Sequence, residues 1–99
     1  MKIRPEEFTD RKKNANPISM VTAYDFPTAN FLSKSSVDIL LVGDSLGTNA
    51  LGYNSVFDVT MRDMIHHTAA VARGAKDKFI ISDLPYNSYS HIKIGRAHV

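Results

Sequence analysis

At 99 residues, the chain has the length of one small domain or of a piece of a larger one, and 43% hydrophobic with 22% charged residues excludes a disordered composition. Twelve Lys and Arg against ten Asp and Glu leave a formal charge of +2, scattered along the chain, which excludes a basic nucleic-acid-binding stripe. The absence of cysteine excludes a disulfide framework, a thiol nucleophile and a thiolate metal site, so any metal must take oxygen or imidazole ligands.

A chain without cysteine suits a reducing cytosol, and a cytoplasmic location is expected. The longest strongly apolar run, Ile39-Leu40-Leu41-Val42, is far too short to span a bilayer, and no signal-peptide core follows the charged N-terminus. Neither a membrane nor a nucleic-acid partner is expected.

Residues 1–17 are polar and end in the turn-prone Asn14-Ala15-Asn16-Pro17, which predicts an N-terminal arm with room for a helical turn. The basic run Arg11-Lys12-Lys13 within it reads as a solvated face. Ile18 to Tyr24 is β-prone and bounded by Pro17 and Asp25, which predicts the first strand. A helix over residues 27–35 follows, with Pro27 in its first turn and Ala29, Phe31 and Leu32 facing inward.

Asp38-Ile39-Leu40-Leu41-Val42 is continuously apolar after its Asp, the pattern of a parallel strand covered on both faces. A loop over 47–58 then leads to a helix from Met61 to Arg73, with Thr60 and Asp63 forming a capping box and Gly74 closing it as a C-terminal cap. Phe79-Ile80-Ile81-Ser82 predicts the third strand, ended by Asp83-Leu84-Pro85. The order βαβαβ implies an α/β fold with right-handed crossovers and a parallel sheet, either open or closed into a barrel.

All three predicted strands end in a carboxylate: Asp25, Asp44 and Asp83. Adjacent strands lie about 4.8 Å apart, so side chains at their carboxyl ends can share one hard cation such as magnesium. The alternative is that each Asp caps a helix or starts a turn, and Asp25 before Pro27 fits that role as well as a catalytic one.

Gly43-Asp44-Ser45-Leu46 also matches the opening signature of GDSL-type esterases, in which Ser45 would be the nucleophile. That chemistry needs a histidine base, and no motif marks His66, His67, His91 or His98 as one. Adjacent helical residues point about 100° apart, so of His66 and His67 one should pack and the other face solvent. Gly43, Gly47 and Gly52 form no Gly-x-Gly-x-x-Gly or Gly-Lys-Ser/Thr pattern, which leaves nucleotide binding unsupported.

Four segments in this order and spacing resemble the ketopantoate hydroxymethyltransferase family: Thr22-Ala23-Tyr24-Asp25, Leu41 to Gly47, His67 to Gly74 and Asp83-Leu84-Pro85. The resemblance covers about Ile18 to Ser90. It implies the N-terminal βαβαβ portion of a (β/α)8 TIM barrel of the phosphoenolpyruvate/pyruvate-binding type. It also implies transfer of a hydroxymethyl group from 5,10-methylenetetrahydrofolate to 3-methyl-2-oxobutanoate, giving 2-dehydropantoate, with magnesium as cofactor and a homo-oligomeric parent.

By the same resemblance, Asp44 and Asp83 are metal ligands and Asp44, Ser45 and Asp83 contact the 2-oxo acid. The general base and a further substrate-binding lysine belong to later strands, so the 99 residues alone are expected to be inactive, and an unpaired sheet edge with an uncovered apolar face is expected to make them prone to aggregate. Other readings are a related phosphoenolpyruvate/pyruvate barrel, a GDSL-type serine esterase and a non-catalytic flavodoxin-like binding module.

Residues 94–99, Ile-Gly-Arg-Ala-His-Val, match the translation of the sequencing adapter ATC GGA AGA GCA CAC GTC in one frame, so adapter read-through is expected. The expected organisation is therefore an arm at 1–17, barrel elements at 18–93 and a non-native tail at 94–99.

Overall fold

The computed structural model describes residues 4–86; the tail at 94–99, together with His91 and His98, lies outside the described residues. The arm is more ordered than a helical turn. Pro5 to Lys13 form helix α1 (Pro5–Lys13), with Pro5 at its start, Glu6 and Glu7 in its first turn and three basic residues in its last. This charge order complements the helix dipole. The helix ends where Ala15 adopts φ 56°, letting the Asn16 N–H reach the Arg11 carbonyl at 2.8 Å and the Ala15 N–H reach Lys12 at 3.2 Å.

Arg11 does not sit on a solvated face. Its side chain is 27% exposed and its guanidinium pairs with Asp38 and donates to the Pro17 carbonyl. Asp38, only 8% exposed, also accepts the Ser19 N–H at 2.9 Å and the Ser19 hydroxyl at 3.3 Å. The pair clamps α1 to the entry of the second strand, where the Phe8 ring meets Phe79 edge-on with centroids 5.3 Å apart.

Replacing Arg11 by Met would leave a buried carboxylate with Ser19 alone, a loss of about 2–3 kcal/mol in urea unfolding of the full-length protein. The Arg11 hydrogen bond holds the Asp38 carboxyl below its usual range, against the opposing effect of burial. A depressed folded pKa stabilises above the unfolded value of about 3.9, and the benefit disappears as pH falls through the lower folded value. Asp38→Asn and Arg11→Met are therefore both expected to flatten the acid limb of the stability profile.

Three parallel strands, β1 (Met20–Thr22), β2 (Ile39–Val42) and β3 (Phe79–Ser82), form one sheet in the order β1-β2-β3. Met20, Ile39 and Phe79 lie in register across it. This order differs from the flavodoxin-like arrangement, in which the first strand lies between the second and third. The described residues thus form a βαβαβ parallel α/β unit with an unclosed sheet.

The first strand is shorter than the 18–24 segment predicted, because regular pairing begins only beyond Pro17 and Ile18. Single backbone bonds, Ile39 N–H to Ser19 and Ala23 N–H to Leu41, both 3.0 Å, extend it at either end. Asp38 belongs to the buried clamp and not to β2. Coverage on both faces holds for β2, where Ile39, Leu40 and Val42 are buried; β1 is exposed throughout and β3 is half-buried to exposed.

Helices α2 (Phe26–Ser33) and α4 (Met61–Gly74) meet over a core containing Ala29, Leu40, Val42, Met64 and Val71. Phe31 was expected in this core and is instead 76% exposed. Ala29 and Leu32 share a helix face at i, i+3 spacing, whereas two residues on from Ala29 a side chain points to the far side.

The predicted loop at 47–58 contains helix α3 (Leu46–Asn49) and a 3-10 turn at Val56–Asp58. Packing explains both: Leu46 is fully buried, and Gly47 lies so close to Val59 that an added Cβ would be 2.3 Å from its Cγ2.

The capping box of α4 is present, with Asp63 N–H on Thr60 Oγ1 and Thr60 N–H on Asp63 Oδ2, each 3.1 Å. Asp63 Oδ2 also accepts the Tyr53 hydroxyl at 3.0 Å, which ties the preceding loop to the helix start. Gly74 is not a left-handed cap; it is the last helical residue, and Ala75 follows as C-cap. Its role is close packing, since a Cβ there would lie 2.7 Å from the Phe26 carbonyl and 2.9 Å from Ala29 Cβ. Among the described residues, no helix is long and apolar enough to cross a membrane.

Candidate active site at the carboxyl ends of the strands

Parallel strands collect functional groups where their carboxyl ends open into loops, and here β2 and β3 open side by side. The Asp83 N–H donates to the Val42 carbonyl at 3.0 Å, carrying the ladder one bond past the last strand pair. The Asp83 carboxylate then turns toward β2, where Oδ2 accepts the Asp44 N–H at 3.1 Å. The two acidic residues are thus coupled at the same end of neighbouring strands.

Gly43 lies where these groups meet. A Cβ at this residue would lie 3.4 Å from Asp83 Oδ2, 3.4 Å from Ser45 Oγ and 3.9 Å from the Ser45 amide nitrogen. A carboxylate, a hydroxyl and a backbone amide therefore surround one small notch floored by a glycine. The chain turns through it with Leu46 N–H on Gly43 O and Gly47 N–H on Asp44 O, both 3.0 Å.

Ser45 begins α3 without using its side chain as a cap. Its Oγ instead lies 2.7 Å from the Tyr24 hydroxyl, which also accepts the Asn49 side-chain amide at 3.3 Å. Tyr24 is fixed from its other end, where His67 Nδ1–H donates to its carbonyl at 2.7 Å. His67 packs and His66 is exposed, the division that their adjacency on one helix demands.

Asp25 is drawn away from this group. It caps α2, with Oδ1 accepting the Thr28 N–H at 2.8 Å, and that backbone bond holds its carboxyl below the ordinary range. Of the three acidic strand ends, Asp44 and Asp83 stand together with Ser45, and Asp25 serves the helix.

Sequence reasoning gave no role to Tyr24 or Asn49. Asn49 lies four residues after Ser45, a spacing that places two residues on one helix face. Reading 47–58 as a loop concealed that relation.

Among the described residues, no group of three or more His, Cys, Asp or Glu is assembled for a metal. Two carboxylates on adjacent strands nevertheless suit magnesium, which usually keeps several waters and takes one or two carboxylates beside its substrate.

The family model for ketopantoate hydroxymethyltransferase matches residues 2–96. The chain belongs to the ketopantoate hydroxymethyltransferase family. Relatives named 3-methyl-2-oxobutanoate hydroxymethyltransferase from Bacillus cereus (strain B4264), Bacillus thuringiensis (strain Al Hakam) and Bacillus anthracis (strain CDC 684 / NRRL 3495) are each 51% identical over 88 residues. Those alignments cover 89% of this chain and 31% of each relative. The chain therefore spans about a third of the length of the curated relatives it matches.

Membership of the ketopantoate hydroxymethyltransferase family and the surroundings of Ser45 both disfavour the esterase reading. A serine nucleophile needs an imidazole base, whereas among the described residues Ser45 Oγ meets the Tyr24 phenol.

Proposed function

We propose that the full-length protein carrying this chain transfers a hydroxymethyl group from 5,10-methylenetetrahydrofolate to 3-methyl-2-oxobutanoate, giving 2-dehydropantoate. The observation that supports this most directly is the notch at Gly43, where Asp83, Ser45 and the Asp44 backbone converge in a chain of this family.

In this reading, Asp44 and Asp83 would hold a magnesium ion, which supplies Lewis-acid stabilisation to negative charge developing on a keto oxygen. The Asp44 N–H holds the Asp83 carboxylate in place through Oδ2. Ser45 offers its hydroxyl and amide to the carboxylate of the 2-oxo acid. Removal of the C3 proton belongs to a base on later strands, after which C3 bonds to the folate-borne methylene carbon. The two carbon–nitrogen bonds of that unit break, water provides the new hydroxyl, and the folate nitrogens take up one proton from water and one in place of the C3 proton, leaving tetrahydrofolate. The 99 residues alone lack the base and are inactive in this scheme.

Full-length protein is expected to exchange the C3 proton of 3-methyl-2-oxobutanoate for deuterium in a magnesium-dependent manner, followed by NMR. Absence of exchange, together with labelling of Ser45 by an organophosphonate, would replace the transferase with a serine hydrolase.

A further inference from the structure

We propose that Asn49 and Tyr24 are positioning residues that set the direction of the Ser45 hydroxyl, so that it presents its hydrogen and not its lone pairs to an anionic ligand. The proposal rests on the reading of Ser45 as a contact for the carboxylate of the 2-oxo acid.

A phenol has one hydrogen and an oxygen that also accepts, while a side-chain amide nitrogen only donates. The Asn49 amide delivers a hydrogen to Tyr24 Oη at 3.3 Å, leaving the phenolic hydrogen to the 2.7 Å contact with Ser45 Oγ. Ser45 then accepts, and its own hydrogen is released toward the notch beside Asp83 and Gly43. In the opposite order the phenol oxygen would accept from both Asn49 and Ser45, its own hydrogen would lose the Ser45 acceptor, and the serine lone pairs would face a carboxylate, which repels them.

Three separate elements hold the chain of donors in place. Tyr24 leaves β1 and is anchored through its carbonyl by His67 of α4, while Ser45 and Asn49 lie one turn apart at the start and end of α3. Ser45 is spared for this task because its side chain does not cap its own helix.

The test uses the full-length protein and compares Tyr24→Phe, Asn49→Ala and Asn49→Asp. Tyr24→Phe is expected to raise KM for 3-methyl-2-oxobutanoate about tenfold while kcat stays within about threefold, the scale of one lost hydrogen bond to an anion's partner. In a Ser45→Ala background the same change should add nothing, because the donor it orients is gone.

Asn49→Asp keeps the shape but reverses the donor, so it should weaken binding more than Asn49→Ala. That excess should shrink in a Tyr24→Phe background, where only the added charge remains. Unchanged KM in Tyr24→Phe, or full multiplication of its effect with that of Ser45→Ala, overturns the proposal. Wild-type protein without turnover or calorimetric binding of the 2-oxo acid overturns the functional reading instead. If Tyr24→Phe fails to fold, Asn49→Ala decides: a KM effect that vanishes in the Ser45→Ala background supports the proposal, and full multiplication of the two effects overturns it.

Discussion

Asp83→Asn in the full-length protein is expected to fold normally and lose at least about a hundredfold in kcat/KM, the scale of removing one preorganised electrostatic partner from a reacting site. The substitution separates two jobs that one carboxylate performs. As a structural acceptor, Asp83 Oδ2 takes the Asp44 N–H at 3.1 Å, and an amide oxygen can still do that. As the charged oxygen ligand proposed for magnesium, it would have no equivalent in a neutral amide. The Gly43 turn should therefore persist while magnesium affinity, measured by calorimetry, falls together with turnover. Loss of folding would assign Asp83 mainly to the turn, and near-normal turnover would remove it from the site.

The position of the candidate site was legible because acidic residues placed directly after apolar strands mark the open end of a parallel sheet. Val42-Gly43-Asp44 and Ser82-Asp83 carry that signal in a few residues, and β3 coincides with its predicted range. A local signal also located the Thr60–Asp63 capping box. Asp25 carries the same kind of signal but is used as a cap, since Pro27 forces a helix start and its carboxylate is the nearest acceptor for the Thr28 N–H.

What escaped the sequence depends on distant partners. Arg11 looks like one of three surface cations until the chain returns, 27 residues later, with a buried Asp38. Leu46-Gly47-Thr48-Asn49 has weak helix propensity and turns helical because Leu46 is buried and Gly47 fits against Val59. With that short helix missed, the link between Ser45 and Asn49 was missed as well. Phe31 shows the converse error, an apolar residue assigned inward by type when its angular position points it outward.

Gly74 provides the second large effect, on stability. A glycine at the end of a helix suggests a left-handed cap, where Asn is tolerated better than Ala because Asn enters that conformation more readily. The close approach of α2 and α4 predicts the reverse order. A methyl at Gly74 would sit 2.7 Å from the Phe26 carbonyl, 2.9 Å from Ala29 Cβ and 3.0 Å from the Asn30 nitrogen, and two of these atoms are backbone. The helices must separate to admit it, and overpacking of this kind costs about 2–3 kcal/mol. In a full-length protein of a few hundred residues, where each kcal/mol shifts Tm by about 2–4 °C, Gly74→Ala should lower Tm by about 4–12 °C. Gly74→Asn, with more volume against the same backbone, should fall further. If scanning calorimetry of the two variants shows Asn above Ala, the residue acts as a cap and the packing account fails.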